Sequence, residues 1–326
     1  MLLKDESYRL GLPAFKILGA SWAAAKAIIQ RLGLDISDVK DDSGTSISLE
    51  RLGFAAQAVG LVLFAATDGN HGRAVARMAK YLGIGARIYV PCALDQEAKS
   101  NIASEGAGVV NFEGNYDETV LEASKACGDY PNGNGLLISD TALVFGDEIS
   151  QWIVDGYQTM FDEIDEQAAS LTGGRCITHV LTPVGVGSLC QAVLTHFSRV
   201  SKCAMPAIIT VEPETAACLK SSLEAGEIVT VPTGHTICSG LCCGTLSRNG
   251  WSVMKDGVTA AMSISDTMVD LAVKDLHEED IEAGPCGAAT LAGLRQIMKV
   301  GELNLDPGSI VLVLCTEGTR SYSLIS

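Results

Sequence analysis

His179-Val-Leu-Thr-Pro-Val-Gly185-Val-Gly187-Ser-Leu-Cys190 begins as a near-continuous apolar run and passes, through two glycines, into a segment with helical spacing. An apolar run that does not alternate is the pattern of a strand buried on both faces, and such strands belong to parallel sheets covered by helices. The same pattern recurs along the chain. Leu61–Ala66, Ala86–Val90, Val109–Phe112, Leu136–Ser139, Ala207–Val211 and Ile310–Leu314 are predicted strands. Gly72–Leu82, Gln96–Glu105, Tyr116–Ala126, Asp147–Ser170 and Gly187–Val200 are predicted helices. The predicted class is α/β, with parallel sheets flanked by helices. In such sheets ligands bind beyond the carboxyl ends of the strands, so the loops that follow the strands are where chemistry is expected.

The 326 residues are enough for two domains, and 47% hydrophobic residues supply two buried cores. A net charge of −16 leaves no basic footprint, so neither nucleic acid nor an anionic membrane surface is an expected partner. An anionic ligand would have to be held by local amides. No apolar run approaches the roughly 20 residues of a membrane span, and Met-Leu-Leu-Lys-Asp-Glu has no signal-peptide character. The expected compartment is the cytoplasm. Eleven cysteines scattered through apolar surroundings suit reduced core thiols better than a disulfide framework.

Four further stretches carry candidate chemistry. In Gly11-Leu-Pro-Ala-Phe-Lys16-Ile-Leu-Gly-Ala20 a helix running to about Arg31 is predicted, with Lys16 at its opening. A lysine among Phe15, Ile17 and Leu18 either snorkels to water or is desolvated, and desolvation favours the amine that Schiff-base chemistry needs. Ala66-Thr67-Asp68-Gly69-Asn70-His71-Gly72 turns from a strand into a helix, where amides at the helix's positive end favour a carboxylate. The same residues would also serve as a plain turn with a helix cap. At Gly185-Val186-Gly187-Ser188-Leu189 the glycines allow close approach of a phosphate, and Ser188 adds a hydroxyl. That turn also carries the first two glycines of a dinucleotide fingerprint. Glu212 closes the next strand at a ribose-binding distance, although Cys190 fills the third small position. A nicotinamide dinucleotide is therefore the alternative ligand. Cys315-Thr316-Glu317-Gly318 ends the final strand and could set a neutral hydroxyl or thiol beside a ring nitrogen. His235, Cys238, Cys242 and Cys243 have the residue types for zinc without a familiar spacing, so core thiols and no metal are expected.

Taken in order, the pieces resemble the pyridoxal-phosphate enzymes of fold type II, the tryptophan-synthase β fold, and among them most closely the diaminopropionate ammonia-lyase group. The matching pieces are Lys4-Asp-Glu-Ser-Tyr-Arg9, Ala14-Phe-Lys-Ile-Leu-Gly19, Ala66-Thr-Asp-Gly-Asn-His-Gly-Arg73, Asn115-Tyr-Asp-Glu-Thr-Val120, Asp140-Thr-Ala142, Gly185-Val-Gly-Ser188, Gly240-Leu-Cys-Cys-Gly244 and Thr316-Glu-Gly318. They span nearly the whole chain.

The resemblance implies roles residue by residue. Lys16 would carry pyridoxal 5'-phosphate and then act as acid and base. Phe15 would pack near the ring, Asn70 would bond the phenolic oxygen, and Gly185, Val186, Gly187, Ser188 and Leu189 would cradle the phosphate. Thr316, or else Cys315, would face the pyridine nitrogen. A small amino-acid substrate would rest its carboxylate on Thr67 and the amides of Gly69 to His71. Asp68 and Asp140 would bind a β-ammonium group and manage proton transfers, each typically contributing about 10²–10⁴-fold. The common dehydratases that resemble this fold carry serine at the position of Asp68, so an ammonia-lyase acting on 2,3-diaminopropionate is the expected activity. A serine or threonine dehydratase and a β-replacement enzyme are the alternatives. One departure concerns the substrate: the similar enzymes follow Asp-Thr-Ala with Trp-Glu-Gly-Tyr, whereas this chain has Leu143-Val-Phe-Gly146. The expected domains are a larger one, 1–44 and 148–326, and a smaller inserted one, 45–147, with the active site between them. A homodimer is expected from the resemblance.

Overall fold

The computed structural model describes residues 1–199, 203–301 and 305–324. The strands are β1 (Leu2–Asp5), β2 (Val62–Ala66), β3 (Gly85–Pro91), β4 (Gly108–Phe112), β5 (Gly135–Leu137), β6 (His179–Pro183), β7 (Ala207–Pro213), β8 (Ala260–Ile264) and β9 (Val311–Cys315). The helices are α1 (Lys16–Leu32), α2 (Leu49–Val59), α3 (Asn70–Leu82), α4 (Gln96–Ser104), α5 (Tyr116–Gly128), α6 (Glu148–Gly156), α7 (Gln158–Thr172), α8 (Ser188–Arg199), α9 (Cys218–Ala225), α10 (Trp251–Gly257), α11 (Asp266–Glu278) and α12 (Pro285–Val300). Val200, where the predicted helix 187–200 ends, lies outside the described residues.

Two compact units contain these elements. One comprises Met1–Phe15, Thr141–Gly146 and Tyr157–Ser326; the other comprises Lys16–Asp140 and Asp147–Gly156. Contact density thus groups α1 and residues 147–156 with the four-stranded sheet, so the compact units partition the chain differently from the borders at 44/45 and 147/148. Within that unit α6 lies close on α1. A Cβ on Gly156 would sit 2.6 Å from the Leu18 carbonyl oxygen, so the contact requires a glycine.

In the first unit the sheet order is β1-β9-β6-β7-β8, and every pairing is parallel. The chain runs from β6 through β7 to β8 on one side and returns as β9 on the other, which makes the carboxyl end of β6 a topological switch point. Leu181, Ile209, Val211 and Val313 are almost wholly buried in the core between this sheet and its helices. The other unit repeats the logic at smaller scale. Its order is β4-β3-β2-β5, again parallel throughout, so the switch point is the carboxyl end of β2. Phe64 on β2 packs with Tyr89, Val120 and Ala123. Burial of such a ring contributes roughly 2–3 kcal/mol.

Two strands escape the apolar-run criterion. β1 reads Leu-Leu-Lys-Asp and β8 reads Ala-Ala-Met-Ser-Ile, and both are edges of the five-stranded sheet, where one open side relaxes the demand for bulky apolar residues. The predicted helix 147–170 is two helices, α6 and α7, separated at Tyr157, whose side chain is fully buried. The expectation of reduced thiols is corrected at one pair: Cys176 and Cys203 form a disulfide, their Cα atoms 5.9 Å apart, while the other nine cysteines are free. Those two residues precede the neighbouring strands β6 and β7, which brings their segments within bonding range. Among the described residues no helix is long and apolar enough to cross a membrane.

Candidate active site

In the four-stranded unit, Lys16 is the first residue of α1 and Asp140 follows β5. The lysine neither reaches free solvent nor stands desolvated without charge: its Nζ donates to Asp140 Oδ2 at 2.6 Å, with side-chain exposures of 19% and 5%. The Tyr116 hydroxyl, at the start of α5, donates to Asp140 Oδ1 at 3.3 Å. Asn115 places that tyrosine by capping α5, accepting from the Glu118 amide while the Glu118 carboxylate accepts from its own. Burial alone would raise the Asp140 carboxyl. The charge of Lys16 beside it, with the two hydrogen bonds, overcomes burial and holds the group well below the usual carboxylate range.

The turn between β2 and α3 lies beside β5 because β2 and β5 are paired. Thr67 is buried, and its Oγ1 accepts from the amides of Gly69 at 2.9 Å and Gly72 at 3.0 Å. The Gly69 amide expected to meet a substrate carboxylate is thus bonded within the turn, and the Thr67 hydroxyl keeps its own proton to donate. Gly69 has φ +142°, a conformation closed to ordinary side chains. Asp68 and Asn70 are half-buried in the same turn. His71, second in α3, is buried, with Nε2 2.8 Å from the Ile138 carbonyl oxygen and Nδ1 3.9 Å from Asp140 Oδ2. Burial pushes its ring below the ordinary histidine value, a shift that Asp140 opposes and Lys16 reinforces.

In the five-stranded unit, Gly185, Val186, Gly187, Ser188 and Leu189 connect β6 to α8 at the switch point. Among the described residues no acceptor is bonded to their amides. Five amides at a helix's positive end, beside the buried Ser188 hydroxyl, form a cradle suited to a phosphate group. Gly187 has φ +93°, and a Cβ there would lie 2.8 Å from Met254 Sδ. The turn is held from behind: Cys218 Sγ donates to the Gly185 carbonyl at 3.5 Å, and the Ser247 amide donates to the Val186 carbonyl at 2.8 Å.

The remaining expected residues also have definite places. Phe15 is buried against Tyr157, ring centroids 4.8 Å apart. Thr316, buried beyond β9, donates from Oγ1 to the Cys286 carbonyl at 3.3 Å, which leaves the oxygen's lone pairs to accept. Cys315 packs against Gly287, and burial raises its thiol to about 12. Both carboxylate oxygens of Glu212 accept helix amides, from Leu219 at 2.7 Å and Lys220 at 2.8 Å, so the group suggested for a ribose caps α9 instead. Among the described residues no three His, Cys, Asp or Glu side chains gather as a metal site.

Two contributors are absent from the sequence-derived site. Tyr116 acts on Asp140; its sequence signals are its place just after a helix cap and within the matching piece Asn115–Val120, neither of which points to that carboxylate. Ser247, buried, joins two segments: its Oγ accepts from the Ala142 amide at 2.9 Å while its amide holds Val186. The first signature, Lys4 to Arg9, serves a different purpose. Arg9 bridges Glu6 and Glu163, and hydrogen bonds from Arg9, with help from Lys4, lower the Glu163 carboxyl to about 2.

Comparison with known proteins agrees with this geometry. The profile of the family described as "Pyridoxal-phosphate dependent enzyme" matches residues 1–316. The diaminopropionate ammonia-lyase of Escherichia coli is 33% identical over 331 residues, covering 98% of this chain and 80% of its own. That of Salmonella typhimurium is 32% identical, covering 98% and 81%. The crystal structure of the Escherichia coli diaminopropionate ammonia-lyase with an aminoacrylate–PLP azomethine reaction intermediate superposes with TM-score 0.83 at 32% identity, covering 97% of this chain and 79% of that one. A lysine on a buried carboxylate, an amide cradle at a switch point and a profile spanning nearly the whole sequence lead to one assignment: the chain belongs to the pyridoxal-phosphate dependent enzymes of fold type II.

Proposed function

We propose that this chain is a carbon–nitrogen lyase that carries out α,β-elimination on 2,3-diaminopropionate, yielding pyruvate and ammonia. The observation that carries the reading is the buried Asp140 carboxylate 2.6 Å from Lys16 Nζ, in a chain 33% identical to a diaminopropionate ammonia-lyase. The chemistry balances with water alone. Loss of the Cα proton and of the β-amino group as ammonia leaves 2-aminoacrylate. Its imine tautomer takes up one water and releases pyruvate and a second ammonia.

Pyridoxal phosphate, when bound, supplies the electron sink that makes the Cα proton removable. The unpartnered amides of Gly185 to Leu189 fit its phosphate, and Lys16 is the amine to which it attaches. Phe15, Asn70 and Thr316 are assigned to its ring, phenolic oxygen and nitrogen. Thr67, donating its own hydroxyl proton, orients the substrate carboxylate with the amides of Asn70 and His71, since the Gly69 amide is held by Thr67 Oγ1. Asp68 and Asp140 divide the proton work: one holds the β-ammonium and returns a proton to the departing amine, while the other assists Lys16 at Cα. We place the division of labour at the same domain borders, 1–44 with 148–326 and 45–147, and propose a cytoplasmic homodimer on the strength of the resemblance.

One observation favours a second substrate class. Leu143, Val144 and Phe145 are 38%, 64% and 81% exposed and carry no polar group, which suits a bulkier or less polar β-substituent than an ammonium. The test is turnover by the cofactor-loaded protein of diaminopropionate, serine, threonine, β-chloroalanine and O-acylserines, in both enantiomers, with 2-oxo acid and ammonia measured separately. Pyruvate and ammonia in a 1:2 ratio from diaminopropionate is the expected result. No release from it, with rapid release from a hydroxy or acyloxy amino acid, would replace the ammonia-lyase reading.

A further inference from the structure

We propose that Asn249 is a positioning residue that fixes the exposed apolar loop Leu143–Phe145 beside the phosphate cradle, and so sets which β-substituents the site admits. The inference deepens the proposed function and rests on its assignment of this site to an amino acid bound through pyridoxal phosphate. The loop follows Asp140 in sequence and belongs, with the cradle and residues 247–250, to the compact unit of the five-stranded sheet. One short turn holds both of its ends. At the near end the buried Ala142 amide donates to Ser247 Oγ at 2.9 Å, and the Ala142 carbonyl accepts from the Arg248 amide at 3.1 Å. At the far end the Gly146 amide donates to Asn249 Oδ1 at 2.8 Å. The same turn grips the cradle, because the Ser247 amide donates to the Val186 carbonyl at 2.8 Å.

The two ends are held for different reasons. Ala142 is 1% exposed, so its amide and carbonyl need protein partners whatever the loop does. Gly146 is exposed, and water could satisfy its amide; burial does not demand the bond to Asn249, which instead selects one path for the three residues between the anchors. Among the described residues no hydrogen bond holds Leu143, Val144 or Phe145 themselves. Their place relative to the cradle therefore depends on the anchors. A wall of apolar side chains discriminates by shape and size, and it does so only while it is held in place. The Gly146 amide can only donate, so it is the carbonyl oxygen of Asn249 that faces it, and a carboxylate at that position would accept equally well.

The test measures selection, cofactor affinity and amide exchange in the cofactor-loaded full chain. Binding of diaminopropionate, serine and O-acetylserine is followed by the change in the visible band, and ammonia release is assayed separately. Loss of one hydrogen bond corresponds to about two- to tenfold in the population of the held loop, so in Asn249→Leu the spread between the tightest and weakest binding constants should narrow by about that factor. Cofactor affinity should stay close to wild type, since the group that grips Val186 is a main-chain amide. Asn249→Asp keeps the acceptor and should restore the wild-type spread. A folded Asn249→Leu protein with the spread unchanged, or an Asn249→Asp protein that matches Asn249→Leu, would overturn the proposal. If Asn249→Leu does not fold, hydrogen exchange of the wild type decides: the Gly146 amide should exchange more slowly than those of Val144 and Phe145, and equal rates would overturn the assignment. Binding of these amino acids without release of ammonia would count against the lyase reading and leave Asn249 its role.

Discussion

The turn from β2 into α3 and the turn from β6 into α8 occupy equivalent places: each leaves the strand at which its parallel sheet changes direction, and each opens a helix. They treat their backbone in opposite ways. At β6 the amides of residues 185–189 have no acceptor among the described residues, and the side chains around them are small or apolar. At β2 the Thr67 hydroxyl takes the amides of Gly69 and Gly72 for itself, and the turn carries a carboxylate, an amide and an imidazole. One switch point leaves its main-chain amides open, suited to an anion. The other uses its main chain for rigidity and presents polar side chains, to which proton transfer is assigned as a proposal. The same topological position can serve binding or chemistry according to whether a local hydroxyl satisfies the backbone.

The largest effect should come from Lys16→Ala, which removes the nucleophile from the proton-handling side. Turnover and the visible band of lysine-bound cofactor should both vanish while the circular dichroism is retained. Asp140 also changes: without the adjacent charge, burial is left to raise its carboxyl, and carbon NMR should find it above the ordinary value. Borohydride labelling of a lysine other than Lys16 in the wild type would break the comparison outright. Asp140→Asn comes next, with kcat reduced by about 10²–10⁴-fold and cofactor affinity close to wild type. A loss confined to KM would assign the residue to binding instead.

A paired substitution tests the contrast between backbones. Gly187→Leu forces a side chain onto φ +93° and against Met254, so cofactor affinity should fall at least about tenfold, with a stability loss of roughly 1–3 kcal/mol. Thr67→Val strands two amides and should cost about 2 kcal/mol in denaturant unfolding while altering cofactor affinity much less. Equal effects on affinity from both would erase the distinction. The smallest effect concerns a carboxylate outside both turns. Burial raises Glu212 to about 7, so its contribution to stability is fully present below the ordinary glutamate value and is lost as pH rises through 7. Relative to Glu212→Gln, wild-type unfolding free energy should therefore decline between about pH 4.5 and 7. Asp140 has the opposite sign: its stabilisation is present above the unfolded value and is lost as pH falls through the lower folded one.

Much of this was legible in the sequence because a strand buried on both faces writes itself as an uninterrupted apolar run. β2, β3, β6, β7 and β9 could be read from that signal with boundaries displaced by one or two residues. β1 and β8 could not, since an edge needs fewer bulky side chains and Leu-Leu-Lys-Asp has almost no run to detect. The two turns could be found because glycine and Asx residues next to apolar runs mark a strand giving way to a helix. Their inner bonding was not legible. No spacing rule says that Thr67 will capture the Gly69 amide, or that the oxygens of Glu212 will go to α9. Tyr116 and Ser247 were missed for a related reason: each acts on a segment distant in sequence, Tyr116 on Asp140 and Ser247 on both Ala142 and Val186.

The pairing of β1 with β9 sets an order of events during synthesis. Leu2–Asp5 is translated long before its partner Val311–Cys315, and β9 is also the strand that joins β1 to β6. At about 5–20 residues per second, β1 waits tens of seconds for its neighbour, and β6, once made, shows an open edge until β9 follows. The four-stranded sheet has no such delay, because all of its strands are made by Leu137 and Asp140 follows within three residues. The nascent chain can therefore assemble the lysine with its carboxylate before the sheet bearing the amide cradle is complete. Stalling translation before Val311 should leave the four-stranded sheet protected from proteolysis and the five-stranded sheet exposed.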